Sequence, residues 1–308
     1  MTQRLFPEWH LQDAIQLTWP GAESDWAPIL PRIEATLEAM VVTIARHQRV
    51  LISVADEATR QRLGASFRQL GIERARLLFV LAPSDDSWAR DHGPLAIERN
   101  GRVVLLDYRF TGWGGKFPAA RDDALTSRLQ AAGVFAAPVE TRELILEGGA
   151  IDSDGAGTLL TTEACLLNPN RNPRLDRQAL EARLRDELGI ERVLWLRHGH
   201  LEGDDTDSHV DTLARFCDPQ TIAYVRCDDP TDSHYAALRA MEAELEALRR
   251  ADGEPYGVER LQASFAEHAK LGLKELLARL SEGYAAYDDG KRERDVTLIA
   301  LAPKGATE

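Results

Sequence analysis

Only three cysteines occur in 308 residues: Cys165, Cys217 and Cys227. An odd and widely spaced trio makes no disulfide framework, so a packed core has to hold the chain. All three read as structural thiols. Cys165 follows a strand within Thr162-Glu163-Ala164-Cys165-Leu166-Leu167, Cys217 lies at a hairpin turn, and Cys227 comes after one. None stands in a glycine-rich turn at a helix start, where a thiolate is favoured. Positive charge is also scarce, with 37 Lys and Arg against 50 Asp and Glu, a net −13. That excludes the clustered cations on which nucleic-acid binding depends. The acidity suits a cationic small molecule, although solubility alone explains it equally well. No apolar run approaches membrane-spanning length, and Met1 to Leu11 holds no signal-peptide core. The expectation is a cytoplasmic protein with no membrane or nucleic-acid partner.

What is present is a soluble composition, 44% apolar and 28% charged, and an acid-led pattern that repeats. Asp91 leads Leu95-Ala96-Ile97, turns at Asn100-Gly101 and returns as Val103 to Leu106. Glu147 leads Ala150-Ile151, turns through Asp152 to Gly157 and returns as Thr158 to Thr162. Asp211 leads Leu213 to Phe216, turns at Asp218-Pro219 and returns as Thr221 to Val225. The carboxylates stand 56 and 64 residues apart. A unit repeated at that spacing suggests blades around a shared centre, where the acids converge on a cation.

Around these hairpins the pattern predicts strands at Ala14 to Thr18, Val50 to Val54, Leu77 to Leu81 and Arg192 to Leu196. Helices are expected from near Ser24-Asp25 through Ile44, between the second and third of those strands, near Arg121 to Ala131, at Asp176 to Leu188 and at Asp232 to Arg250. Beyond the turn Asp252 to Tyr256 no fourth acid-led hairpin follows. Leu261 to Leu280 reads as helix, and Val296 to Leu301 as one last strand. The division expected is 1–256 as repeated α/β modules and 257–308 as a divergent, mainly helical tail.

Asp207-Ser208-His209-Val210-Asp211, with His198 and His200 upstream, carries residue types that serve a metal, proton transfer or a solvated loop. Read as a strand, Asp207, His209 and Asp211 share a face. Trp88 and Asp91 flank Arg90, which alone would be an aromatic anchor beside a loop ion pair. Glu147-Gly148-Gly149 alone is ordinary turn chemistry, and Trp113 in its double-glycine loop could simply pack a lid. Only the constellation points to a site.

That constellation resembles the agmatine deiminases, within the Porphyromonas-type peptidyl-arginine deiminases of the guanidine-modifying pentein superfamily. The resemblance rests on Pro7-Glu8-Trp9, Leu17 to Pro20, Asp86 to Asp91, Trp113 to Lys116, Glu147 to Ile151, Thr161 to Asn168, Arg171-Asn172-Pro173, Thr206 to Asp211 and Asp228-Asp229-Pro230. It covers about residues 5 to 256. It implies an α/β propeller of five ββαβ modules, here incomplete. It also implies hydrolysis of agmatine to N-carbamoylputrescine and ammonia through a covalent thiouronium, without metal or other cofactor, in putrescine biosynthesis. By resemblance Asp91 and Asp211 clamp the guanidinium with Glu147 nearby, and His209 is the general acid and then base. Trp88 and Trp113 line the channel, and Asp205, where the family usually has Glu, is a substrate-binding candidate.

One departure bears on activity. The family's nucleophile lies in a C-terminal Gly-Gly-Gly-x-x-His-Cys-x-Thr motif, which this sequence does not contain. Two expectations follow. One is a deiminase using another thiol, for which Cys217, on the hairpin that Asp211 leads, is the candidate. The other is a guanidinium-binding remnant without chemistry, whose unpaired strand edges favour a homo-oligomer.

Overall fold

The computed structural model describes residues 3–250 and 252–260. The predicted helix Leu261 to Leu280 and strand Val296 to Leu301 lie outside them. The described chain opens with β1 (Gln3–Leu5), then β2 (Ala14–Thr18), β3 (Arg49–Val54) and β4 (Leu77–Leu81). The last three form a parallel sheet in the order β2-β3-β4, crossed by helices Leu30–Ile44 and Glu57–Gln69. Asp56 caps the second helix by accepting the Thr59 N–H at 2.7 Å, and Leu63 and Phe67 bury its apolar stripe.

A second plan then occurs three times: an antiparallel hairpin, a crossover helix, and a third strand parallel to the hairpin's second. The first unit is β5 (Leu95–Arg99), β6 (Arg102–Arg109), helix Leu125–Ala131 and β7 (Val139–Ile145), with β1 antiparallel on the free edge of β5. Its hairpin turns on Asn100 and Gly101, both at positive φ (51° and 76°), as a two-residue Asn-Gly turn requires. The second is β8 (Ile151–Ser153), β9 (Thr158–Thr162), helix Arg177–Leu188 and β10 (Arg192–Leu196). The third is β11 (Ala214–Asp218), β12 (Thr221–Tyr224), helix Tyr235–Ala247 and β13 (Gly257–Arg260). The three hairpins are those expected from the acid-led repeats.

Three strands were not foreseen: β1, β7 and β13. The alternation of β7 is masked because its side chains are mostly polar and half-exposed. Arg99 donates to Glu140 at 2.7 Å there, so an ion pair does what an apolar face does elsewhere. β13 occupies the first four residues of the segment expected to be a mainly helical tail. The helix expected over Arg121 to Ala131 is two, Ala120–Asp123 and Leu125–Ala131, meeting at Ala124.

Neighbouring sheets share apolar clusters. Leu51, Val80 and Ala82 of the all-parallel unit pack with Leu125 and Leu129. Ile97 and Leu106 meet Ile151, Leu159 and the helix residues Leu180, Leu184 and Leu188. Leu160, Leu194 and Leu196 meet Phe216, Ile222 and Tyr224 under Leu238, Met241 and Leu245. Each fully buried leucine contributes roughly 1.5–3 kcal/mol. Gly189, at φ 72°, ends helix Arg177–Leu188 through N–H bonds to Arg185 and Leu184, and its α-hydrogen packs where a Cβ would lie 2.0 Å from the Gln3 carbonyl oxygen. In this α/β arrangement, the segments passing from one sheet to the next carry Asp91, Glu147 and Asp211.

Candidate active site

Each of the three carboxylates belongs to a single helical turn just ahead of a hairpin. Asp91 lies in Ala89–His92 before β5, Glu147 precedes the turn Gly148–Ala150 before β8, and Asp211 lies in Val210–Thr212 before β11. Such turns aim free N–H groups inward and suit buried anions. The Gly149 N–H donates to Asp91 Oδ1 at 3.0 Å.

Gly149 marks the centre. A Cβ there would lie 2.6 Å from Asp91 Oδ1, 2.6 Å from His209 Nδ1 and 2.8 Å from Asp211 Oδ2. Asp91 from ahead of the first hairpin, and His209 and Asp211 from ahead of the third, therefore crowd one small space at the turn of the second. His209 Nδ1 is 3.5 Å from Asp91 Oδ1. Burial pushes the carboxyls of both Asp91 and Asp211 above the ordinary range, and for Asp211 the Asp91 charge adds to it. Burial also lowers His209, which stays neutral at physiological pH. Like charges held this close are what a cationic ligand would relieve.

Trp113 closes one wall, its indole N–H donating to Asp91 Oδ2 at 3.0 Å. It sits in the left-handed region (φ 55°, ψ 49°), where a bulky residue is strained. The strain is held from several sides. Phe110 and Phe117 meet its ring edge-on at 5.1 and 5.6 Å. Lys116 Nζ donates to Asp207 Oδ1 and to the Asp205 carbonyl, both at 2.7 Å. Gly114 lies so close to the Asn170 side chain that a Cβ would be 2.2 Å from Nδ2. Trp88 is 37% exposed beside the turn and pairs with Trp26 at 6.0 Å between ring centroids.

Glu147 is fully buried and is not free. Arg171 Nε donates to both its oxygens, at 3.0 and 2.8 Å, while Arg171 Nη1 donates to Asp207 Oδ2 at 2.7 Å and Nη2 to the Thr206 carbonyl at 2.9 Å. Burial works against the Asp207 carboxylate, yet bonds from Lys116, Arg171 and Asn170 bring it down to about 2. Asp207 and Ser208 both have positive φ (65° and 63°). Residues 207–211 are thus a tight turn, not the strand whose alternation puts Asp207, His209 and Asp211 on one face. The turn sends His209 and Asp211 to Gly149 and Asp207 back onto Arg171.

Of the expected site residues, Asp91, Glu147, His209, Asp211 and Trp113 come together, with Trp88 at the margin. The Asp205 side chain is not among them: the residue is exposed, and its backbone carbonyl makes the contact to Lys116. His198 pairs with Glu244 at 3.9 Å and His200 is exposed, so neither joins the site. Three further residues lie beside these and were not among the expected site residues. Arg171 appeared only as part of a motif. Arg90, taken alone as half of a loop ion pair, is that and more: it pairs with Glu8 and donates to the Ile151 carbonyl at 3.1 Å, and Asp211 is among the charges holding it protonated. Cys165, read as structural, has its thiol within 4.8 Å of donor atoms of both Glu147 and His209. Cys217, the expected alternative thiol, is an exposed residue of β11.

The sequence profile of the Porphyromonas-type peptidyl-arginine deiminases matches residues 4–288. The chain belongs to that family. Its match continues past residue 256, where the resemblance read from the sequence ends. An agmatine deiminase of Stutzerimonas stutzeri is 35% identical over 268 residues, 85% of this chain and 71% of that protein. One from Pseudomonas aeruginosa LESB58 is 35% identical over 269 residues, 84% and 70% of the two chains. Among solved structures, a cysteine-to-serine variant of C. jejuni agmatine deiminase with substrate bound is similar at TM-score 0.76 and 35% identity, over 84% of this chain and 74% of that one. The Enterococcus faecalis agmatine deiminase is similar at TM-score 0.73 and 27% identity, over 84% and 70%. These similarities show that the chain shares its overall fold with the solved deiminases.

Proposed function

We propose that the chain holds the guanidinium of agmatine, or of a closely related guanidine, between Asp91 and Asp211. The observation that carries this is the crowding of both carboxylates and His209 around Gly149. Two anions flanking a planar cation fix its orientation, and desolvation strengthens each contact. Trp113 forms the wall beside Asp91, Trp88 the margin, and the Arg171-bound Glu147 the floor. His209, neutral in the free site, is placed to hand a proton to departing ammonia once it has acquired one, and to take one from water afterwards. The net reaction that the family resemblance implies is C–N hydrolysis of agmatine to N-carbamoylputrescine and ammonia, which we assign to putrescine biosynthesis in the cytoplasm; that similar proteins are named agmatine deiminases supports the choice of substrate. With it goes the reading of the sheets as blades of a pentein propeller.

The covalent route needs a thiolate beside the guanidinium carbon, and the places of the three cysteines do not favour it. Burial pushes the Cys165 thiol far up, so it stays protonated. Cys217 is exposed on its strand, and Cys227 lies in the loop after β12. Our reading is therefore that the 308-residue polypeptide binds its guanidine without turning it over. Purified protein is heated with and without millimolar agmatine, and ureido product is assayed in parallel. A rise in melting temperature that Asp91→Ala abolishes, with no product, is the expected result. Product lost in Asp91→Ala restores the active deiminase and sends the search to a thiol. No shift and no product defeats both.

A further inference from the structure

One buried nucleophile is left without a part in guanidine binding. Cys165 sits in the helical turn Glu163–Leu166 after β9, with 0% exposure. Its position is fixed twice over. The Thr162 hydroxyl accepts the Cys165 N–H at 3.3 Å and itself donates to the Ser208 carbonyl at 2.7 Å. The second unit's hairpin is thereby tied to the residue before His209. As a result the thiol, a Glu147 oxygen and a His209 ring nitrogen all lie within 4.8 Å of one another, and all three residues are buried. An independent observation points the same way. His209 is 2% exposed, yet its Nε2 has no hydrogen-bond partner among the described residues, while Nδ1 faces Asp91.

We propose that Cys165 Sγ, His209 Nε2 and a Glu147 oxygen form a binding site for a thiophilic divalent cation of the zinc class. Cysteine, histidine and glutamate are the donors such an ion prefers, and three protein ligands leave a fourth position open. Bonds of about 2.0–2.3 Å in a tetrahedron set donors roughly 3.5 Å apart, so the three draw in by about an ångström. Arg171 uses one direction of each Glu147 oxygen, and a further lone pair remains on each. Its own charge stays matched by Asp207, while Asp91 and Asp211 keep the surroundings acidic. Binding is an exchange of ions: the S–H bond of Cys165 breaks, its proton leaves to solvent and the sulfur lone pair takes the metal. Affinity accordingly rises with pH. This site is separate in logic from the guanidine reading, since it stands or falls on metal binding whether or not agmatine binds. Its consequence is that a bound ion takes the His209 nitrogen and removes it from proton transfer.

Cobalt(II) reports the ligands directly. Metal-free protein is titrated with Co2+ and followed by absorption. A near-ultraviolet thiolate-to-cobalt charge-transfer band is expected together with intense visible bands of a tetrahedral ion. Cys165→Ser should lose the charge-transfer band, and Cys217→Ser and Cys227→Ser should keep it. If Cys165→Ser fails to fold by circular dichroism, His209→Ala serves instead, with at least a tenfold weaker Co2+ affinity expected. No charge-transfer band in the wild-type chain overturns the site, as does a band that survives Cys165→Ser or an affinity unchanged in His209→Ala.

Discussion

At Gly149 the absence of a side chain is a steric requirement, because the missing methyl would occupy the space that two carboxylates and an imidazole share. Gly149→Ala must push aside Asp91, His209 or Asp211, at a cost of about 1–3 kcal/mol of stability. Its larger effect falls on the ligand: the agmatine-induced rise in melting temperature should disappear while the circular dichroism spectrum stays native. An unchanged ligand response in Gly149→Ala would move the binding centre elsewhere. Asp91, Glu147 and Asp211 could be read from the sequence because each stands just before an apolar stretch, a turn and a second apolar stretch. Arg171 and Cys165 could not. Each follows β9 in the chain and meets the site through partners far off in sequence, Arg171 through Glu147 and Asp207 and Cys165 beside the Thr162 that bonds the Ser208 carbonyl. Asp207 was misplaced for a local reason, since nothing in its residue type announces a left-handed pair at 207 and 208.

Among the elements, those with apolar alternation or helical periodicity were legible, including every hairpin that carries a site acid. Those missed complete sheets from outside: β1 caps β5, and β7 and β13 add the third strand to their hairpins. Strands so placed draw on main-chain pairing and ion pairs, which leave little mark on hydropathy. β13 sets the sharpest case, because its register runs from Thr221 against Gly257 to Tyr224 against Arg260. Cutting the chain after Tyr256 removes that pairing and exposes the edge of β12, whereas cutting after Arg260 keeps it. The shorter product should melt lower and aggregate on heating, and the longer one should melt higher and stay soluble. Equal melting temperatures for the two would show that β13 adds nothing to the third unit.

Across the whole molecule, acidity sets how stability follows pH. Asp122 is fully buried and accepts the backbone N–H groups of Asp85 at 2.8 Å and Asp86 at 3.1 Å. Burial, abetted by the Asp85 and Asp86 charges, lifts its carboxyl to about 7. Burial lifts Asp152 as well, to about 6, against the pull of Arg215. An unfolded aspartate titrates near about 3.9. The folded chain therefore binds these protons more tightly than the unfolded chain does. The stability they bring is complete below pH ~4 and is lost as pH rises through 6 and 7. Asp207, held at about 2, has the opposite sign, and its contribution disappears as pH falls from about 4 toward 2. Stability should thus peak near pH ~4 and decline as pH rises toward 7, and at pH 8 the net charge of −13 adds self-repulsion. Asp122→Asn keeps an oxygen for the Asp85 and Asp86 N–H groups but cannot ionise. Melting curves at constant ionic strength should show it gaining on the wild type at pH 8 and matching it near pH ~4. An equal difference at both pH values would mean that Asp122 acts through packing, and that its proton is not what the fold holds.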